Sequence, residues 1–176
     1  VVGDMDPAEA EKKIKAHFSA FKNPAAEKPR PAIIPIQPRT KPEAMVITDE
    51  EATNTVLEVF DFIRPAKKIK TWADYRQSIV DELVNNIINR RLQELTQKEN
   101  PPFVYGFAGK QNFIRGYETF FTGAVLGNNT AREAANALFG ETERARLYGF
   151  LPTEIERAKA ALLNGAEQAF NEKDKS

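Results

Sequence analysis

The side chains that perform most enzyme chemistry are scarce in this sequence. His17 is the only histidine among 176 residues, and cysteine is absent. A serine nucleophile therefore has at most one histidine as its base, cysteine chemistry is excluded, and a zinc site with two histidine ligands cannot form. We interpret His17 as a surface side chain without a chemical role. The acidic pairs Glu50-Glu51 and Glu141-Glu143 are more typical of solvated faces than of acid–base dyads, so we predict no catalytic residue and no metal ligand.

One loop combines cations with an aromatic side chain. Lys67, Lys68 and Lys70 precede Trp72, and such a combination could bind single-stranded nucleic acid. However, the 25 basic and 25 acidic residues balance, so no net field attracts a polyanion or an anionic membrane. We therefore favour a solvated loop that leads into a helix, with nucleic-acid binding as a minor alternative. No apolar run approaches the ~20 residues of a membrane-spanning helix.

The strand predicted to begin at Phe103 carries unusually small side chains. Gly106, Ala108 and Gly109 are interspersed with aromatic residues, which leaves part of this strand as nearly bare backbone. Small residues in a strand often mark a place where another backbone or side chain approaches closely. The approaching group could belong to a separate chain or to a helix of the same domain, and the sequence leaves both possibilities open.

The first residues predict the end of a strand followed by a helix. Val1-Val2 are β-branched, Asp6 has the position of an N-cap, and Pro7 would occupy the first helical position. The helix carries an apolar stripe that its own segment cannot bury. Its members are Ala10, Ile14, Phe18 and Phe21. We expect the partner of this stripe to precede Val1 in a longer protein.

A proline-rich segment divides the chain. Six prolines lie between positions 24 and 42, which disfavours both helix and central strand. Because Ile33, Ile34 and Ile36 are apolar, we expect this linker to pack along a surface. The predicted division is a strand and helix at 1–23, a linker at 24–42 and a domain at 43–176.

Seven elements are predicted after the linker, in the order β-β-α-β-β-α-α. They are strands at 44–48 and 53–63, a long helix after Thr71, strands at 103–109 and 118–126, a helix from Thr130 to Gly149, and a helix opened by Pro152, Thr153 and Glu156. Thr71 with Asp74 and Thr130 with Glu133 have capping-box spacing. Consecutive strands predict antiparallel pairing, with the helices on one face of the sheet. The fold class is therefore α+β, an α/β sandwich, and Val56, Phe60 and Phe62 are predicted to share a face of the second strand.

Several segments, in this order, resemble the pitrilysin/insulinase-type (inverzincin) zinc metallopeptidases. They are VVGDMDP at 1–7, LVNNIINRRLQEL at 83–95, PPF at 101–103 and GFLPTEIERAK at 149–159. The resemblance spans nearly the whole chain. It implies that residues 1–23 end a catalytic domain and that residues 43–176 form a non-catalytic one.

The family resemblance implies a parent enzyme of tandem α/β domains that enclose a chamber. Its zinc is held by an H-x-x-E-H motif and a distant glutamate, which this chain lacks, so zinc belongs to the parent and not to this fragment. Thr96 and Phe103 stand where the domain facing the zinc carries arginine and tyrosine. The chain therefore resembles the second domain of the first half, with the upstream catalytic domain and the downstream half as partners.

The resemblance also implies a role in holding a peptide or small-protein substrate by β-augmentation. The residues that carry over are Gly106, Phe107, Ala108, Gly109, Lys110 and Gln111. The alternative is a purely structural scaffold domain from a family member that lost its metal site. The sequence leaves the compartment open, and we expect a periplasmic or other extracytoplasmic parent.

Overall fold

A computed structural model describes residues 3–29, 35–37 and 39–173, in two compact units at 1–34 and 35–176. The first unit contains helix α1 (Pro7–Phe18). The predicted cap is confirmed, because the Asp6 carboxylate accepts a hydrogen bond from the Ala8 N–H at 2.7 Å. No member of the apolar stripe is buried, and 76% of Phe21 is accessible to solvent. The predicted strand end at Val1-Val2 lies outside the described residues.

The second unit has the element order β-α-β-β-α-α. Its elements are β1 (Val56–Pro65), α2 (Trp72–Thr96), β2 (Tyr105–Ile114), β3 (Tyr117–Val125), α3 (Ala131–Tyr148) and α4 (Pro152–Glu172). The α+β class is confirmed. The predicted strand at 44–48 is wrong: Met45, Val46 and Ile47 are more than 80% exposed and form no strand. Their β-branched and apolar character has no effect without a neighbouring strand to pack against.

The three strands form one antiparallel sheet in the order β1-β3-β2. A β-bulge interrupts β1, so that Phe60 lies opposite Phe121 while Phe62 lies opposite Phe120. Because consecutive residues of β3 point to opposite faces, Phe60 and Phe62 also do. The expectation that these two rings share a face is therefore wrong, since one extra residue reverses the alternation.

The helices cover one face of the sheet, as predicted, and the core lies between the two layers. Its buried members are Ile88, Leu92, Phe103, Ala108, Ala124, Leu126, Ala134 and Leu138. Ala108 and Ala124 supply the sheet side of this core from β2 and β3. We call the sheet surface turned away from the helices the outer face.

The ends of the helices follow local sequence. Both predicted capping boxes are confirmed, at Thr71 with Asp74 and at Thr130 with Glu133. The Asp74 N–H donates to the Thr71 hydroxyl at 3.2 Å, and the Asp74 carboxylate accepts from the Thr71 N–H at 3.1 Å. Lys67 lies 2.6 Å from the same carboxylate, and its hydrogen bond is the main reason why the pKa of Asp74 is far below its usual value.

Helix α4 begins differently from the expectation. Pro152 does take the first helical position, but neither Thr153 nor Glu156 caps the helix. Instead, the carboxylate of Glu154 accepts a hydrogen bond from the N–H of Leu151 at 2.8 Å. Glu154 also binds a buried arginine, so its position is set by tertiary contacts that local spacing does not contain.

Ile36 of the predicted linker forms a hydrogen bond with the sheet. The N–H of Ile36 donates to the hydroxyl of Tyr117 at 2.8 Å, and Tyr117 is buried at the start of β3. Residues 30–34 and 38 of the predicted linker lie outside the described residues.

Candidate functional site

The residues predicted to hold substrate lie on β2, which is an edge strand because β3 occupies the centre of the sheet. Alternation along the strand divides them into two sets. Gly106, Ala108 and Lys110 lie on the helix-covered side of the sheet, and their backbone groups point away from β3. Phe107, Gly109 and Gln111 lie on the outer face.

The edge of β2 that points away from β3 is occupied by two asparagines of α2. The Ala108 N–H donates to Asn89 Oδ1 at 3.1 Å, and Asn89 Nδ2 donates to the Ala108 carbonyl at 2.6 Å. Asn85 repeats the arrangement with the N–H and the carbonyl of Lys110, both at 2.9 Å. The backbone groups that a peptide strand would need at these two residues are therefore already paired.

The small residues of β2 are explained by packing within this domain. A Cβ at Gly106 would lie 2.6 Å from the ring of Phe103, which is fully buried. A Cβ at Gly109 would lie 2.7 Å from the side-chain oxygen of Asn85. Of the two possibilities that the sequence leaves open, close approach by the same domain accounts for both glycines.

Five aromatic rings, contributed by all three strands, form an unbroken series of ring contacts that we call the aromatic row. Consecutive ring centroids are 5.9, 5.0, 4.8 and 5.0 Å apart. In order, the aromatic row consists of Tyr105, Phe107, Phe121, Phe60 and Phe113. The outer members are accessible, with 59% of Tyr105 and 39% of Phe113 exposed. The row can therefore contact apolar side chains of another molecule.

A chain of charges joins α2 to all three strands. Lys110 Nζ lies 2.7 Å from Asp81 of α2 and 3.3 Å from Glu118 of β3, and Arg64 of β1 binds Glu118 at 2.7 Å. The hydrogen bond with Asp81 raises the pKa of Lys110. Partial burial acts to raise the pKa of Asp81, but hydrogen bonds from Lys110 and Gln77 outweigh it and the pKa is lowered. The Lys110 ammonium is thus already paired with two carboxylates of this domain.

The described residues do not fit a zinc ion. Within 3–29, 35–37 and 39–173, no three histidine, cysteine, aspartate or glutamate side chains converge as metal ligands would. His17 lies exposed on α1, with its ring centroid 5.7 Å from that of Phe18. Over the same part of the chain, no helix has the length and apolarity needed to cross a bilayer.

Residues 1–162 match the protein-family model described as the peptidase M16 inactive domain. The chain belongs to the peptidase M16 family. This is the family of the pitrilysin- and insulinase-type zinc peptidases, so the resemblance noted in the sequence is confirmed, including the non-catalytic character of the domain. Phe103 is a core residue of this M16 domain, so its ring is not directed at solvent.

Two known M16 proteins are similar to this chain. "Zinc protease PQQL-like" of Arabidopsis thaliana is 25% identical over 161 residues, which are 92% of this chain and 14% of that protein. The crystal structure of the periplasmic protease PqqL from Escherichia coli shares the fold, with a TM-score of 0.73 and 22% identity over 99% of this chain and 19% of that one. The structure of its first half gives a TM-score of 0.72 and 37% coverage of that half. The chain thus spans less than a fifth of each full-length relative.

Asn85 and Asn89 were not among the residues expected at the site of this M16 domain. Their spacing of four places both on one face of α2, next to the apolar Val84 and Ile88. Amide side chains at this spacing beside the core-facing stripe are the signal that could have indicated a contact with backbone.

Proposed function

We propose that this chain is a non-catalytic domain of a longer zinc-dependent metalloendopeptidase, where it forms part of the wall of a peptide-enclosing chamber. The M16 inactive-domain match and the two protease relatives support this proposal. The similarity to the first half of PqqL supports a place in the first half of the parent, and the inactive-domain match supports its second, non-catalytic domain. In this proposal residues 1–23 end the catalytic domain, 24–42 link the domains, and an extracytoplasmic location follows that of PqqL.

Substrate contact is proposed for β2 and the aromatic row. Of the six predicted residues, Phe107, Gly109 and Gln111 lie on the sheet face away from the helices. A peptide or small protein can reach Phe107 and Gln111 there, whereas Asn85 fills the space beside Gly109. Gly106, Ala108 and Lys110 hold the strand in place from the other side. The observation that carries the proposal is the row itself, because aromatic rings provide large apolar contact at low entropic cost.

A purely structural scaffold domain is the second candidate. It is favoured by the occupied edge of β2, where Asn85 and Asn89 pair with backbone that β-augmentation would use. A scaffold domain needs the ion pairs and the core but not an accessible row of rings.

The two candidates differ in what Phe107→Ala does in the full-length enzyme. We expect kcat/KM for a peptide of about twenty residues to fall roughly tenfold, as loss of about 1.4 kcal/mol of contact implies. Cleavage of a short fluorogenic peptide that does not reach the row should be unchanged. Phe139→Ala is the matched control, because Phe139 is half-exposed on α3 in the helix layer.

Equal loss on both substrates, or no loss on either, would contradict substrate contact at the row. Absence of any cleavage by the zinc-loaded full-length protein would favour the scaffold candidate instead. A valine at Gly109 is a poor probe, since its Cβ would collide with Asn85 and disturb the strand.

The 176-residue chain alone is expected to have no peptidase activity. Its single histidine cannot form the metal site of the family, so added zinc should produce no cleavage of long or short peptides. Hydrolysis that persists after repeated purification and inhibition of contaminating proteases would refute this prediction.

A further inference from the structure

The spacing of Asn85 and Asn89 matches the repeat of the strand they contact. Four residues of helix rise by about 6 Å, and two residues of strand extend by about 6.8 Å. One turn of α2 therefore presents its two amides in register with Ala108 and Lys110, whose backbone groups point to the same edge. The contact is a periodic one and not an isolated hydrogen bond.

Each asparagine side chain offers β2 the same groups that a peptide unit offers. A carboxamide has one carbonyl acceptor and an N–H donor, and here both are used on a single strand residue. Asn89 Nδ2 also donates to the main-chain carbonyl of Asn85 at 2.7 Å, which fixes the orientation of its amide. Gly109 leaves room for Asn85 between the two bonded residues.

We infer that Asn85 and Asn89 occupy the place of an extended peptide at the edge of β2, and that they exclude backbone pairing of peptide ligands with Ala108 and Lys110. The inference rests on the proposed function in one respect, since the excluded ligand is peptide substrate. Substrate then contacts this domain through side chains at the aromatic row. β-Augmentation at Ala108 and Lys110 would require the hydrogen bonds from Asn85 and Asn89 to break.

Amide hydrogen exchange of the ¹⁵N-labelled 176-residue chain tests the occupied edge directly. In Asn89→Ala, we expect the Ala108 amide to exchange about tenfold faster, while the exchange rate of the Lys110 amide stays unchanged. In Asn85→Ala, we expect faster exchange at Lys110 and an unchanged rate at Ala108. The matched control is Asn86→Ala, which removes an exposed asparagine from the same turn of α2 and should change neither amide.

A strand-forming peptide tests the exclusion. The probe is an acetylated decapeptide of alternating valine and threonine with a lysine at each end. We expect it to shift the Ala108 and Lys110 amide resonances of Asn85→Ala/Asn89→Ala in a saturable way, and to leave both unshifted in the wild-type chain. The single variants provide the same comparison if the double variant does not fold.

Three results would overturn the inference. The first is an unchanged exchange rate at Ala108 and Lys110 in the variants. The second is a saturable shift of these amide resonances when the decapeptide is added to the wild-type chain. The third is the absence of decapeptide binding by Asn85→Ala/Asn89→Ala. Because exchange is measured without peptide and the Phe107→Ala assay does not involve the asparagines, failure of the inference is distinguishable from failure of the proposed function.

Discussion

At the scale of single residues, Arg91 links two helices of the helix layer. Its guanidinium binds both carboxylate oxygens of Glu154, at 2.6 and 2.7 Å, and donates to the Gly149 carbonyl at 3.2 Å. It also lies over the ring of Phe150, 5.1 Å from the centroid. Because only 6% of Arg91 is exposed, this pair joins α2 to the start of α4 with little competition from water.

Arg91→Ala is expected to lower the free energy of unfolding by about 3–5 kcal/mol, because it leaves the Glu154 carboxylate buried without its partner. Urea unfolding followed by circular dichroism measures the change. Arg146→Ala is the control, since its bond to Glu143 lies on an exposed face of α3 and should contribute only about 0–1 kcal/mol. Similar losses in the two variants would contradict a special role for the buried pair.

The same pair predicts a dependence on pH. The hydrogen bonds from Arg91 lower the pKa of Glu154 from 4.5 to about 2. The pair therefore stabilises the fold fully above pH 4.5, and its contribution of roughly 3 kcal/mol is lost as the pH falls from 4.5 to 2. Unfolding free energies of Glu154→Gln should fall less steeply over this range than those of the wild-type chain. Parallel curves would refute the assignment.

At the scale of elements, features set by neighbouring residues are mostly predicted correctly, whereas several that depend on distant residues are not. The caps at Thr71 and Thr130 and the long helix α2 follow from spacing within a few residues. The unformed strand at 44–48 and the bulge in β1 depend on which strand lies alongside, which local patterns do not specify. The pairing of Asn85 and Asn89 with β2 likewise joins residues that are 25 and 19 positions apart, so the occupied edge appears only in the fold.

The glycine of the central strand is expected to be irreplaceable. A Cβ at Gly123 would lie 2.5 Å from the Phe107 ring and 2.9 Å from the main-chain oxygen of Leu57, so both the aromatic row and the pairing with β1 would have to move. Gly123→Ala should destabilise the chain by about 1–3 kcal/mol. Gly140→Ala is the control, since nothing lies near its Cβ position in α3 and alanine should stabilise that helix by about 0.5–1 kcal/mol. Equal effects in urea unfolding would contradict the close contact.

At the scale of the whole molecule, the buried core belongs to one of the two compact units. All eight core residues fall between Ile88 and Leu138, within the unit at 35–176. None of the described apolar residues of α1, by contrast, is buried. This distribution agrees with the proposal that residues 1–23 and 43–176 serve two different domains of a longer enzyme.

A chain that begins at Pro35 is therefore expected to fold without residues 1–34. It retains the core, the Arg91 ion pair and the bond from Ile36 to Tyr117, so its urea midpoint and denaturant slope should be close to those of the 176-residue chain. The slope is the informative quantity, because it scales with the surface that unfolding exposes. A midpoint lower by more than about 0.5 M, or a clearly smaller slope, would mean that residues 1–34 bury surface essential to this fold. In that case the proposed boundary at 24–42 would have to be abandoned, since a linker between domains contributes little to the stability of either.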